Sequence, residues 1–219
     1  NSIDWNQARK ALGTSFVDFE PLYQRFDPAF AAEAQAAGHA VGWYNCGPPP
    51  AIGVGVPPSE LRSYYWQAAR YNLDFVSRYG IQRWGTEGTT PETVWTRRYS
   101  HHHSVLYPEH PSSPAFRIEG RGWVDQAPVE SIRLNLIRDG IEDAEYVRKL
   151  RHLIGEARAA GLAAAADAAQ GVLDGIWRET FPSLSHYNPP YEELQARREQ
   201  VAQAILTLKA SLKEAKEPR

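Results

Sequence analysis

The chain has 219 residues, enough to bury a core of its own and to form one domain or at most two. Its hydrophobic content of 42% and charged content of 23% are those of a folded globular chain and exclude wholesale disorder. A formal net charge of -2, with no Lys/Arg-rich face interleaved with aromatics, argues against nucleic acid as a partner. No window approaches about 18 consecutive apolar residues, so no membrane span is expected. The opening residues "NSIDWNQARK" have neither the charged start nor the apolar run of a signal peptide. Cys46, the single cysteine, allows no intrachain disulfide and no multi-cysteine metal site, and it reads as a small buried apolar residue. The chain starts at Asn1 and contains no Met, so it is expected to be a processed or truncated piece.

In chain order, the β-branched and aromatic run Thr14 to Phe19 ("TSFVDF") follows an amphipathic segment from Trp5 to Leu12 and reads as a strand, stopped by Pro21. Asp27 to Gly38 ("DPAFAAEAQAAG") has an Asp cap, Pro at the first helical position, good helix formers and a terminal Gly, which predicts a helix marked at both ends. "HAVGWYNC" (His39 to Cys46) reads as the next strand. Pro48 to Pro50 end it, because proline offers no backbone donor and fixes its own torsion. Pro58 to Gly80 has Ser59 as cap and apolar residues at Leu61, Tyr65, Ala68, Ala69, Leu73 and Val76, a spacing that follows the helical period. "GIQRWG" (Gly80 to Gly85) reads as a short third strand. Strands alternating with helices predict parallel βαβ units.

From Thr86 to Pro128 the pattern dissolves into Gly, Pro, Ser and His, with one strand expected at Ser104 to Pro108. A segment this long without regular structure reads as a functional loop. Helices are expected over Ser131 to Ile137, Ile141 to Ala160, Ala163 to Glu179 and Tyr191 to Lys213. Within "IRDGIEDAEYVRKL" (Ile137 to Leu150), Asp139-Gly140 is expected to break the chain. Glu142 and Asp143 then favour the first turn of the next helix, and Glu145 pairs with Lys149 at i,i+4. The segment reads as architecture. Residues 1–128 therefore form βα units with a long active-site loop over 86–128, and residues 129–219 a helical region packing on them. A complete eight-stranded βα barrel needs about 250 residues, whereas the βα part here occupies only about 130. The expected class is α/β, either a small open sheet or the second half of a barrel.

Both architectures place working residues just past the C-terminal ends of parallel strands. That rule selects Asp18 and Glu20 after the first strand, Tyr44, Asn45 and Cys46 after the second, and Trp84, Thr86 and Glu87 after the third. Asp18 and Glu20 lie two apart on a strand and share a face, an arrangement suited to general acid/base chemistry, although carboxylates at strand ends also serve as caps. Trp43, Tyr44, Tyr64, Tyr65, Trp66, Trp84, Trp95, Tyr99 and Tyr107 crowd the middle third. Sugar rings stack their apolar C–H faces on such side chains, while flanking amides and carboxylates bond the hydroxyls; core packing is the competing use, above all for Tyr65. In His101-His102-His103 only His101 and His103 could share a ligand sphere, and with no HExxH or Cys pair nearby no metal site is expected. No Gly-x-Ser-x-Gly-like elbow surrounds Cys46, which argues against a small hydrolase built on that thiol.

The succession "GHAVGWYNCGPPP", "GIQRWG", "SVLYPEH" and "SIRLNLIRDGIEDAEYVRKL" resembles a glycoside hydrolase catalytic domain of the family 123 type, the N-acetyl-β-galactosaminidase-like group, over roughly Val17 to Leu150. The last motif is its most specific part. The resemblance implies the C-terminal part of a (β/α)8 TIM-type barrel followed by an α-helical tail. It implies a retaining, substrate-assisted mechanism in which the 2-acetamido oxygen of the sugar attacks its own anomeric carbon, a departure from the two-carboxylate scheme. In that group an adjacent Asp-Glu pair on an earlier strand orients the acetamido group and serves as general acid and base. Here Glu142-Asp143 lies inside the helical motif and nothing near the first strand supplies such a pair, so the catalytic carboxylates are expected upstream of Asn1. Catalytic residues stay unassigned, with Asp18, Glu20 and Glu87 as candidates. By position, Asp18, Tyr44, Asn45, Trp84 and Glu87 would form the wall of the sugar pocket. No cofactor is expected. The implied partners are a carbohydrate and the missing barrel half or another chain, in an extracellular or periplasmic bacterial setting. The alternative is a non-catalytic carbohydrate-binding or structural module derived from such a barrel, motivated by the same aromatic strand ends.

Overall fold

Asp27 begins the first element as expected, its carboxylate accepting from the N–H groups of Ala29 at 2.9 Å and Phe30 at 3.3 Å. With Pro28 in the first turn, helix α1 runs over Pro28–Ala36, and Gly38 at φ +86° carries the chain away. The computed structural model describes residues 26–45, 57–78, 105–107, 129–186 and 188–216. The strand expected over Thr14 to Phe19 lies outside them, as does most of the loop over 86–128.

Strand β1 (Gly42–Asn45), helix α2 (Pro58–Arg70) and strand β2 (Phe75–Arg78) follow. The strands pair in parallel from Gly42↔Phe75 to Asn45↔Arg78, which makes a βαβ unit with α2 as its crossover, its second strand lying within the span expected as helix. Its register is pinned at the start: the N–H of Val41 donates to the Asp74 carboxylate, and the N–H of Asp74 donates to the carbonyl of Val41, each at 2.8 Å. Gly42 is required by the close approach of β2, because a Cβ there would lie 2.4 Å from both the ring and the carbonyl oxygen of Phe75.

The bounds of this unit correct the sequence reading. The helix expected to reach Gly80 ends at Arg70, and the chain turns through Tyr71 and Asn72, the latter at φ +54°. Val76, which falls on the helical period, belongs with Phe75 to a strand instead. A period-3.6 match two turns beyond a helix end is weak when an aromatic and a β-branched residue stand together. Gly80 to Gly85, expected as the third strand, lies outside the described residues.

Strand β3 (Leu106–Tyr107), inside the strand expected at Ser104 to Pro108, pairs antiparallel with β4 (Val129–Glu130). Ser131 then donates its hydroxyl to the Val105 carbonyl at 2.6 Å and accepts from the N–H of Arg133, capping helix α3 (Ile132–Ala159). This helix is continuous, against the break expected at Asp139-Gly140. Gly140 is tolerated because α2 packs against it: a Cβ at Gly140 would stand 2.6 Å from the Tyr65 ring. Helices α4 (Ala163–Glu179) and α5 (Tyr191–Lys216) complete the chain, α5 running three residues beyond the expected end.

Two large hydrophobic clusters meet at α2, and Leu61 joins a smaller third with Val105 and Leu136. Trp66 and Ala69 join one made by α3, α4 and α5, whereas Tyr64, Tyr65 and Ala68 join another with α1 and β1. The fold is α/β in the broad sense, with helices predominating around one parallel βαβ unit among the described residues.

Candidate functional site

The C-terminal end of β1 carries two of the residues selected from the sequence. Successive strand residues point to opposite faces, so Trp43 and Tyr44 part company. Trp43 is fully buried, stacked on Tyr64 with centroids 5.2 Å apart and met edge-on by Phe26 at 5.1 Å. Tyr44 is half-buried, and Asn45 closes the strand beside Arg78 of β2. Asp18, Glu20, Cys46, Trp84, Thr86, Glu87, His101 and His103 lie outside the described residues.

Four of the aromatics considered as a sugar platform are core instead. Trp43, Tyr64 and Trp66 are fully buried and Tyr65 nearly so. Trp66 stacks on Phe181 at 5.9 Å and meets the edge of Trp177 at 6.2 Å, tying α2 to α4. Core packing was the competing use in the sequence, above all for Tyr65, and a crossover helix in an α/β fold is covered on more than one side.

Beside this core lies a charged cluster. Asp143, expected in the first turn of a helix, sits in the middle of α3 with no accessible surface. Its carboxylate accepts from Arg62 Nε at 2.5 Å, Arg62 Nη2 at 2.9 Å and Trp66 Nε1 at 2.7 Å. Arg198 of α5 places Nε 2.8 Å from Oδ1, an ion contact without hydrogen-bond alignment, and donates from Nη2 to Glu142 at 2.6 Å. One carboxylate thus joins α2, α3 and α5. Burial pushes the Asp143 carboxyl above its usual range, and Arg62, Arg198 and the Trp66 N–H pull it part of the way back. Burial alone would lower the Arg62 guanidinium, but its bond and charge with Asp143 outweigh that and hold it above its ordinary value.

Arg62 and Trp66 stand four apart and put two donors on one face of α2, a spacing that was the available signal for this cluster. The reading of "IRDGIEDAEYVRKL" as architecture accords with the position of Asp143, although Glu145 pairs with Arg148 rather than with Lys149. With its oxygens occupied and no water access, Asp143 is built to hold helices together and not to exchange protons with a substrate.

The beginning of α5 adds an outer ring. The Arg62 guanidinium stands 5.1 Å over the Tyr191 ring, the Tyr191 hydroxyl donates to Asp139 at 3.4 Å, and Ser59 donates to Asn188 at 3.0 Å. At the other end of α2, Arg151 donates to the carbonyls of Ala69 and Arg70, the terminal acceptors that a helix leaves open. Its guanidinium is lowered by burial and by the neighbouring charge of Arg148. Among the described residues no group of three or more His, Cys, Asp or Glu could hold a metal ion, and no helix is long and apolar enough to cross a membrane. No protein-family model matches the chain, and no curated protein matches it.

Proposed function

We propose that the chain is part of a glycoside hydrolase acting on β-linked amino-sugar glycans and that it contributes the sugar-binding wall of a βα barrel. The observation that carries the reading is the parallel β1–α2–β2 unit with Tyr44 and Asn45 at the C-terminal end of β1. In βα enzymes that end is where ligands bind, and a half-buried tyrosine followed by an amide is a pairing suited to a sugar ring and its hydroxyls. The resemblance of "SIRLNLIRDGIEDAEYVRKL" to the family 123 type narrows the class to N-acetylhexosaminides and the mechanism to the substrate-assisted retaining route. On this reading the catalytic Asp-Glu pair is supplied by the rest of the barrel, in an exported bacterial protein.

Release of para-nitrophenol from para-nitrophenyl N-acetyl-β-galactosaminide tests the proposal. The chain alone is expected to be inactive and the chain joined to its upstream half active. In the joined protein Tyr44→Ala is expected to lower kcat/KM at least about 10-fold, the scale of one lost contact near 1.4 kcal/mol. A joined protein that binds N-acetylhexosamines without hydrolysing any substrate overturns the enzymatic reading in favour of a carbohydrate-binding module. An active joined protein indifferent to Tyr44→Ala removes β1 from the sugar wall.

A further inference from the structure

Three of the most exposed large apolar side chains among the described residues gather in one place. Ile141 is 47% exposed, Tyr146 39% and Leu206 61%, and all three line a groove of about 450 Å³ between α3 and α5. Its floor includes Ala202, and its rim carries Glu142, Lys149 and Glu145, the last paired with Arg148. An apolar groove with a charged rim, on the outside of a helical layer, is the kind of surface that another helix covers.

The order of these residues identifies the occupant. Tyr191 meets Asp139 and Arg198 meets Glu142, so α5 runs beside α3 in the same sense. Leu206 therefore lies level with Lys149, each about two turns beyond the Arg198–Glu142 pair. Ile141 and Glu142 stand at one end of the groove, Lys149 and Leu206 at the other, and Tyr146 between them. A two-fold axis through Tyr146, perpendicular to α3, brings Leu206 onto Ile141 of a second copy and Glu142 onto the second copy's Lys149. The patch is complementary to itself, as an isologous interface must be. Lys149 has no acidic partner among the described residues, whereas Glu142 is held in place by Arg198 and can accept a further cation.

We propose that this groove is a homodimer interface, with α3 of one copy lying antiparallel to α3 of the other and each Leu206 seated at the Ile141 end of its partner's groove. Sedimentation of the 219-residue chain across the micromolar range is expected to give the mass of two chains. Leu206→Glu should raise the dissociation constant at least ~10-fold, and Lys149→Glu should weaken the dimer as well. Both positions are exposed, so circular dichroism is expected to show unchanged helix content in each variant. A wild-type chain that sediments as a single copy throughout the range overturns the proposal and leaves the groove to a different partner. A dimer as tight as wild type in either variant overturns it too, because these contacts would then not be the interface.

Discussion

Asp143 is a charged group held out of water, and its worth depends on its partners rather than on its charge. A buried ion pair contributes little over an apolar pair of the same shape, but removal of one member strands the other at a cost of ~3–5 kcal/mol. Asp143→Ala leaves Arg62, which has no accessible surface, without its carboxylate. The variant is expected to lose ~3–5 kcal/mol in urea denaturation, and the Arg62→Met/Asp143→Leu double variant to lose much less than the sum of the two single changes. A double variant as unstable as that sum would mean that the pair is not the coupled unit its geometry describes. This cluster was hard to read in the sequence because a local rule already accounted for Glu142 and Asp143, as acidic residues near an expected helix start, and nothing local singled out Arg62 or Arg198. The partner that decides the matter lies 81 residues away. Tyr44 and Asn45 were legible because strand alternation and the proline run mark a strand end without any long-range information.

At the scale of elements, what acts locally was read best. The helices α1, α4 and α5 emerged near their expected bounds because caps and composition act locally, as with Asp27 and Pro28. The end of α2 was signalled locally by Phe75-Val76 and overridden by the helical period, whereas the continuity of α3 depends on packing, which no local signal carries. Gly140 makes the point testable. In an isolated helix Ala is favoured over Gly by ~0.5–1 kcal/mol, so propensity alone predicts that Gly140→Ala stabilises α3. At this position the new Cβ would stand 2.6 Å from the ring of Tyr65, itself buried, so α2 and α3 must separate. Gly140→Ala is expected to destabilise by ~1–3 kcal/mol, whereas Gly155→Ala on the same helix, with nothing within 4 Å of the new methyl, is expected to stabilise by up to ~1 kcal/mol. Thermal denaturation of the two variants side by side checks the opposite signs. If both stabilise, helix propensity outweighs the α2–α3 contact.

For the molecule as a whole, α2 determines whether the parallel unit and the helical region behave as one body. Its two faces belong to different clusters, Tyr64 and Tyr65 to the one with α1 and β1, Trp66 to the one with α3, α4 and α5. A helix cannot melt on one face alone, so loss of either cluster removes a wall of the other. The described part of the chain is therefore expected to unfold in one transition, with far-ultraviolet and near-ultraviolet circular dichroism giving the same midpoint. Trp66 is the sharpest probe. It is fully buried, stacks on Phe181 of the turn after α4, and donates to Asp143, so Trp66→Ala removes a large apolar group and one bond of the charged cluster together. The expected cost is ~3–5 kcal/mol, with both spectroscopic midpoints falling by the same amount. Two separated transitions in the variant, with helix signal surviving above the loss of aromatic signal, would mean that α3, α4 and α5 stand without the βαβ unit. The sugar wall proposed at β1 would then rest on a scaffold that the helical region does not stabilise.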